Sequence, residues 1–143
     1  MARLDWDDTF SVGAAMIDQD HRRLLGELNR LAETVDRGDT KGARDGFDSL
    51  FEAILRHFER EERFLLAHRY PDVETHHRTH AFKAEQILTA RDLCAARLAH
   101  GEGQEVVDYL VEWLERHIRV EDMEYARFLA RLPPASARPA LAN

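Results

Sequence analysis

Apolar residues recur along this chain in alternating steps of three and four, the period of helices that bury one face. Four such segments are separated by short breaks. The first is predicted to start near Asp18, read as its N-cap, and to end before Gly38. Its apolar face is Leu24, Leu25, Leu28, Leu31 and Val35, with His21 one turn earlier. The second runs from near Thr40 to about His68, along Ala43, Phe47, Leu50 and Ile54. That stripe then continues through His57 and Glu61, so two polar residues extend an apolar seam.

"RYPD" breaks the pattern, because Pro71 restricts the residue before it and suits a helix's first turn. The third segment carries His76, His80, Ala84, Ile87 and Leu98 on roughly one face and ends around "HGEG". The fourth runs from about Gln104 to Arg131, with Val106, Leu110, Trp113 and His117 along its seam. Four amphipathic helices joined by short breaks predict an all-α fold. The arrangement expected is an antiparallel, up-down-up-down four-helix bundle preceded by an N-terminal arm. One domain would cover residues 1–132. Residues 133–143, Pro- and Ala-rich, read as a flexible tail.

The fourth segment is irregular. Continued past His117 in regular steps, its seam meets Val120, Glu124, Arg127 and Arg131, which are mostly charged. Shifted by one residue it meets Ile118, Asp122, Tyr125, Leu129 and Leu132, apolar apart from Asp122. One residue is about 100° of rotation, whereas drift from a heptad is only about 20° per repeat. The shift therefore predicts an over-wide turn, a π-bulge, between His117 and Asp122. Such a turn lets both face the core although they are five residues apart.

Composition narrows the class of protein. The 143 residues suit one domain with a continuous core, and 44% hydrophobic with 33% charged residues suits a folded, helix-rich chain. A net charge of −7 argues against nucleic-acid binding, which needs a basic excess. A single cysteine, Cys94, excludes an intramolecular disulfide and any CxxC motif, and reads as a small buried hydrophobe. No apolar run approaches a membrane span and "MARLDWDDTF" lacks a signal-peptide core, so a cytoplasmic protein without membrane contact is expected.

The seams collect a set of core-facing polar residues: His21, His57, Glu61, His76, His80, His117 and Asp122. Taken singly, each has an ordinary explanation. A lone histidine on an apolar face is commonly a hydrogen-bonded core residue, and an i,i+4 His–Glu pair is worth only about 0.2–0.5 kcal/mol. Together they do not. Seven ionisable groups converging in one small bundle carry a large desolvation penalty unless something internal partners them. Neutral imidazoles and ionised carboxylates are ligands for divalent first-row metals. Seven are too many for one such ion and suit two that share bridging carboxylates. His68, His77 and His100 fall off the seams and are read as surface.

The ordered pattern H…HxxxE…HxxxH…HxxxxD over four helices resembles the hemerythrin family, in particular single-domain bacteriohemerythrins. "SVGAAMIDQDH", "HFEREE", "YPDVETHHRTH" and "WLERHIRVEDMEY" add to the resemblance, which spans about residues 6–130. It implies two non-haem irons, cycling between ferrous and ferric, with an oxo or hydroxo bridge. One iron would take His76, His80 and His117. The other would take His21 and His57 and keep an open position, with Glu61 and Asp122 bridging. It further implies a non-enzymatic protein that binds dioxygen reversibly, for storage, transport or delivery to an oxygen-consuming enzyme.

Phe58, Trp113, Leu114 and Ile118 resemble the family's oxygen-pocket positions, expected to keep the open site dry. Leu65 and Leu66 stand where relatives often carry methionine, a departure with consequences for pocket shape or access. Three other readings compete. A ferritin-like di-iron oxidase needs paired Glu-x-x-His motifs, and Glu74-x-x-His77 has no second copy. A zinc hydrolase would need HExxH, which is missing. A sensor, or a nitric oxide or peroxide reductase, shares the same ligands and stays open at this point.

Overall fold

The computed structural model describes residues 4–133. The arm (4–14) includes a single 3₁₀ turn, Asp8–Phe10. Four long helices follow: α1 (Ala15–Asp36), α2 (Thr40–Ala67), α3 (Val73–Ala99) and a fourth in two pieces, α4 (Gly103–Arg116) and α5 (Met123–Ala130). There is no strand among the described residues. α1 packs on α2 and α4, and α3 packs on α2 and α4, so the bundle closes in the order of the chain. This is the all-α four-helix bundle that the periodicity predicts.

Short connections enforce the antiparallel path. Gly38 (φ 72°) and Gly101 (φ 79°) take the left-handed conformation that ends α1 and α3. Asp39 N–H then bonds Thr34 C=O (3.2 Å), and Glu102 N–H bonds Arg97 C=O (2.8 Å). Arg69 (φ 57°) plays this part after α2, where a side chain makes the conformation less favourable. Asp39 caps α2 by accepting from Gly42 N–H at 2.9 Å.

Two boundaries differ from expectation. α1 begins at Ala15 rather than Asp18. The Asp18 carboxylate turns back to the arm, accepting from Val12 N–H (2.9 Å) and Ser11 Oγ–H (2.6 Å). A cap-type residue thus fastens the arm to the helix instead of starting it. Pro71 lies in the turn before α3, not in its first turn.

The core has two parts. The larger contains Leu24, Leu28 and Leu31 of α1, Phe47, Leu50 and Ile54 of α2, Ile87 and Leu98 of α3, and Val106, Leu110 and Ile118. The smaller gathers Val12, Ala14, Ile17, Leu65, Tyr70, Tyr125 and Leu129 at one end. Each buried aliphatic side chain contributes roughly 1.5–3 kcal/mol. Every helix of the bundle crosses from one part to the other, and the polar seam residues occupy the crossing. Cys94 is buried and unpaired, as expected of a core position.

Candidate metal centre

The π turn occupies residues His117–Glu121, with Asp122 N–H bonding His117 C=O at 3.0 Å, five residues back. The extra residue carries the helix about 100° round, which returns Asp122, Tyr125 and Leu129 to the interior. All three are buried, whereas Val120 is exposed. The break in the hydrophobic pattern and the backbone irregularity coincide.

All seven predicted polar residues are buried and meet between the two core clusters. Potential ligand atoms of His21, His57, Glu61, His117 and Asp122 lie within 4.8 Å of one another, as do those of Glu61, His76, His80 and Asp122. The two carboxylates belong to both groups and present one oxygen to each. Glu61 Oε1 is 2.7 Å from His76 Nε2 and 3.1 Å from His80 Nε2. Its Oε2 is 3.0 Å from His57 Nε2. Asp122 Oδ2 is 3.0 Å from His21 Nε2 and 3.1 Å from His117 Nε2, while Oδ1 faces His76 Nε2 at 3.5 Å.

Several of these buried atoms nevertheless lack a hydrogen-bond partner of proper geometry among the described residues. They include both oxygens of Asp122, both ring nitrogens of His117 and Nε2 of His80. An unsatisfied buried polar group costs about 1–3 kcal/mol, more if charged. The His21 and His57 Nε2 atoms also face each other at 3.1 Å. Lone pairs close together but aimed into shared space, rather than along N–H···O lines, fit cations held between them. The donor set of imidazole nitrogen and carboxylate oxygen suits two first-row metal ions.

Without metal, protons partly fill this role. Burial alone would lower the pKa of His21, yet the Asp122 and Glu61 carboxylates raise it to about 9. His117 is likewise disfavoured by burial and raised to about 9, chiefly by Asp122. Glu61, which burial would raise, is held well below the ordinary glutamate value by His57 and the other imidazoles. His76 moves the other way: burial and then the neighbouring His80 lower it.

An outer set of acids holds the imidazoles from behind. Asp20 Oδ2 lies 3.3 Å from His57 Nδ1 and Glu62 Oε1 is 2.9 Å from His80 Nδ1, both as hydrogen bonds, whereas Glu121 Oε2 stands 3.5 Å from His117 Nδ1, near enough for its charge to act but without hydrogen-bond geometry. Such partners orient metal-bound imidazoles and raise their basicity. None of these three lies on a helical seam, although each directly precedes or follows a seam residue in "DH", "EE" and "ED". Tyr125 reads from its spacing as core alone, yet its hydroxyl donates to Glu61 Oε2. Lys83 is buried too; stepping four then three from His76 reaches it, whereas a second step of four leads to Ala84.

Around the cluster, the Phe58 ring stacks on His80 (centroids 4.0 Å, 8°) and the Trp113 ring lies parallel to His117 (6.0 Å, 14°). Leu114 and Ile118 are buried in the larger core cluster. Leu65 and Leu66 part company: Leu65 is buried beside Tyr125, while Leu66 is 65% exposed and borders an open surface cavity with Val73 and His77. Of the leftover histidines, His77 and His100 are exposed and His68 is half-buried, its Nδ1 against Phe64 C=O at 2.9 Å.

A four-helix bundle crossed at one level by five imidazoles and two shared carboxylates defines a helical protein with a candidate dinuclear metal site. The profile of the hemerythrin HHE cation binding domain matches residues 12–129. The chain belongs to the hemerythrin family, whose members bind dioxygen at two irons. It is 30% identical over 128 residues to a bacteriohemerythrin of Stenotrophomonas maltophilia, covering 88% of this chain and 81% of that one. A bacteriohemerythrin of Pseudomonas aeruginosa is 28% identical over 127 residues (87% and 80%). A hemerythrin-like protein of Naegleria gruberi is 22% identical over 121 residues (85% and 89%). No helix of the described residues is long and apolar enough to cross a membrane.

Proposed function

We propose that this chain binds dioxygen reversibly at a diiron centre and serves to store, transport or deliver oxygen, without itself catalysing a reaction. The observation that carries the reading is the paired carboxylates: Glu61 and Asp122 each turn one oxygen to each imidazole group. Two irons bound there would supply the electrons for reversible dioxygen binding.

The chain's own residues would do the rest. Glu61 and Asp122 would bridge the two irons, and His21, His57, His76, His80 and His117 would ligate them. Family resemblance puts His117 with His76 and His80. Here its ligand atoms group with those of His21 and His57, and its Nε2 shares Asp122 Oδ2 with His21 (3.1 and 3.0 Å), although its ring centroid is only 5.6 Å from that of His80. Phe58, Trp113, Leu114 and Ile118 exclude water, which keeps the charged centre in a low dielectric. Asp20 and Glu62 would hold the His57 and His80 rings in place, and Glu121 sets its charge behind His117.

The test is an anaerobic iron count followed by visible spectra as oxygen is admitted and removed. Two irons per chain and a charge-transfer band that comes and goes with oxygen support the reading. Two irons that oxidise irreversibly, without that band, would replace it with a redox enzyme on the same scaffold.

A further inference from the structure

The three outer acids differ in what stands behind them. Asp20 pairs with Arg60 (3.1 Å), whose side chain is 44% exposed, and Glu62 pairs with His77 (2.9 Å), which is 66% exposed. Glu121 instead pairs with Lys83, whose Nζ lies 2.7 Å from Oε2 with a side chain only 5% exposed. A lysine is seldom buried to this degree unless something demands it. Its charge, little screened by solvent, also acts more strongly on neighbours than a surface charge does.

Lys83 makes two connections. The Glu121 oxygen it touches is the same Oε2 that stands 3.5 Å from His117 Nδ1. One oxygen therefore lies against an ammonium and within ion-pair range, without hydrogen-bond geometry, of a candidate ligand. The ammonium also lies 4.5 Å above the Trp113 ring, and that ring lies parallel to His117. Lys83 is on α3, one turn beyond His80, whereas Glu121 closes the π turn. The pair ties the irregular turn to the helix opposite, at the wall of an open groove between α3 and α4 lined also by Phe82 and Tyr109.

We propose that Lys83 is a positioning residue of the metal centre: by pairing with Glu121 Oε2 beside His117, it limits how much carboxylate charge acts on that imidazole and thereby sets the electron affinity of the metals it holds. This rests on the reading of the site as a dinuclear iron centre. The physical logic is a competition. A carboxylate behind a ligating imidazole makes the ring a stronger donor and favours the higher metal charge. A cation on the same oxygen weakens that push.

The experiment compares Lys83→Met, Lys83→Arg and Glu121→Gln with the unaltered protein. It reads metal count, midpoint reduction potential of the iron-loaded protein and, in metal-free protein, hydrogen exchange of the amides from His117 to Asp122. Lys83→Met frees Oε2 for His117, so the potential falls. Glu121→Gln removes the carboxylate charge, so the potential rises. Lys83→Arg restores a value near the original, and both variants that break the pair speed exchange in the π turn. The signature is the double variant: with Glu121→Gln already in place, Lys83→Met should no longer lower the potential, whereas a direct field effect of the lysine or a damaged scaffold would still shift it. Potentials unmoved, or moved together, would overturn the role of Lys83. Failure of the unaltered protein to hold two irons would overturn the diiron reading instead, and exchange in the metal-free π turn would still report whether Lys83 anchors it.

Discussion

The Tyr125 hydroxyl donates a 2.9 Å hydrogen bond to Glu61 Oε2, joining two side chains with no solvent exposure that lie 64 residues apart. Burial and the nearby Asp122 and Glu61 charges push the phenol well above its usual pKa, so it stays a donor. Hydrogen bonds to charged groups contribute about 1.5–3 kcal/mol. Tyr125→Phe is therefore expected to destabilise the metal-free protein by about that amount in urea unfolding while two metals still bind. An unchanged unfolding midpoint would mean that the bond contributes nothing.

The π turn is what brings Tyr125 and Asp122 inward. Deleting Val120, an exposed residue of that turn, should restore a regular helix and rotate both off the core by about 100°. Helical circular dichroism should be largely kept while metal stoichiometry drops below one per chain. Retention of two metals would show that the turn is dispensable.

Glu61 faces both imidazole groups, so Glu61→Ala should abolish the metal pair rather than halve it. His117→Ala should do likewise. Metal analysis after anaerobic loading decides, and a variant of either kind still holding two irons contradicts the assignment.

The raised values at His21 and His117 give a pH dependence of definite sign. Their stabilisation as imidazolium is complete below the unfolded value of about 6.5 and is lost as pH rises through the folded value of about 9. Melting temperatures of metal-free protein should fall between those limits. Loading with metal near pH 7 should also displace on the order of two protons per chain, because a ligating nitrogen cannot keep its proton. Calorimetry in buffers of different ionisation enthalpy measures that release; identical heats would refute it.

Trp113 is half-buried and lies against His117. Trp113→Ala should cost less than the roughly 3–5 kcal/mol of a fully buried tryptophan and leave both irons in place. The oxygenated form should oxidise faster as water enters, followed as decay of its visible band. An unaltered lifetime would remove Trp113 from the water-excluding wall.

Much of this molecule can be read locally. The seam residues of α1 and α2, from Leu24 to Leu31 and from Ala43 to Glu61, are buried as their spacing predicts. Even the π turn is legible, because a helix that keeps one face in the core cannot change seam by one residue without an extra residue in its turn. Burial is a property of a residue's place on its own helix, and periodicity encodes that directly.

Partnership across helices is different. Asp20 precedes His21 in the chain but lies against His57 of α2, and Glu62 follows Glu61 but reaches His80 of α3. Which carboxylate oxygen faces which imidazole, that His117 groups with His21 and His57, and that Lys83 meets Glu121 follow from helix separation, register and rotamer. Those quantities arise when four faces pack at once, and no one helix's sequence carries them. The spacing along the chain thus names the residues of the centre, while the packing of α1, α2, α3 and the π turn assigns their contacts.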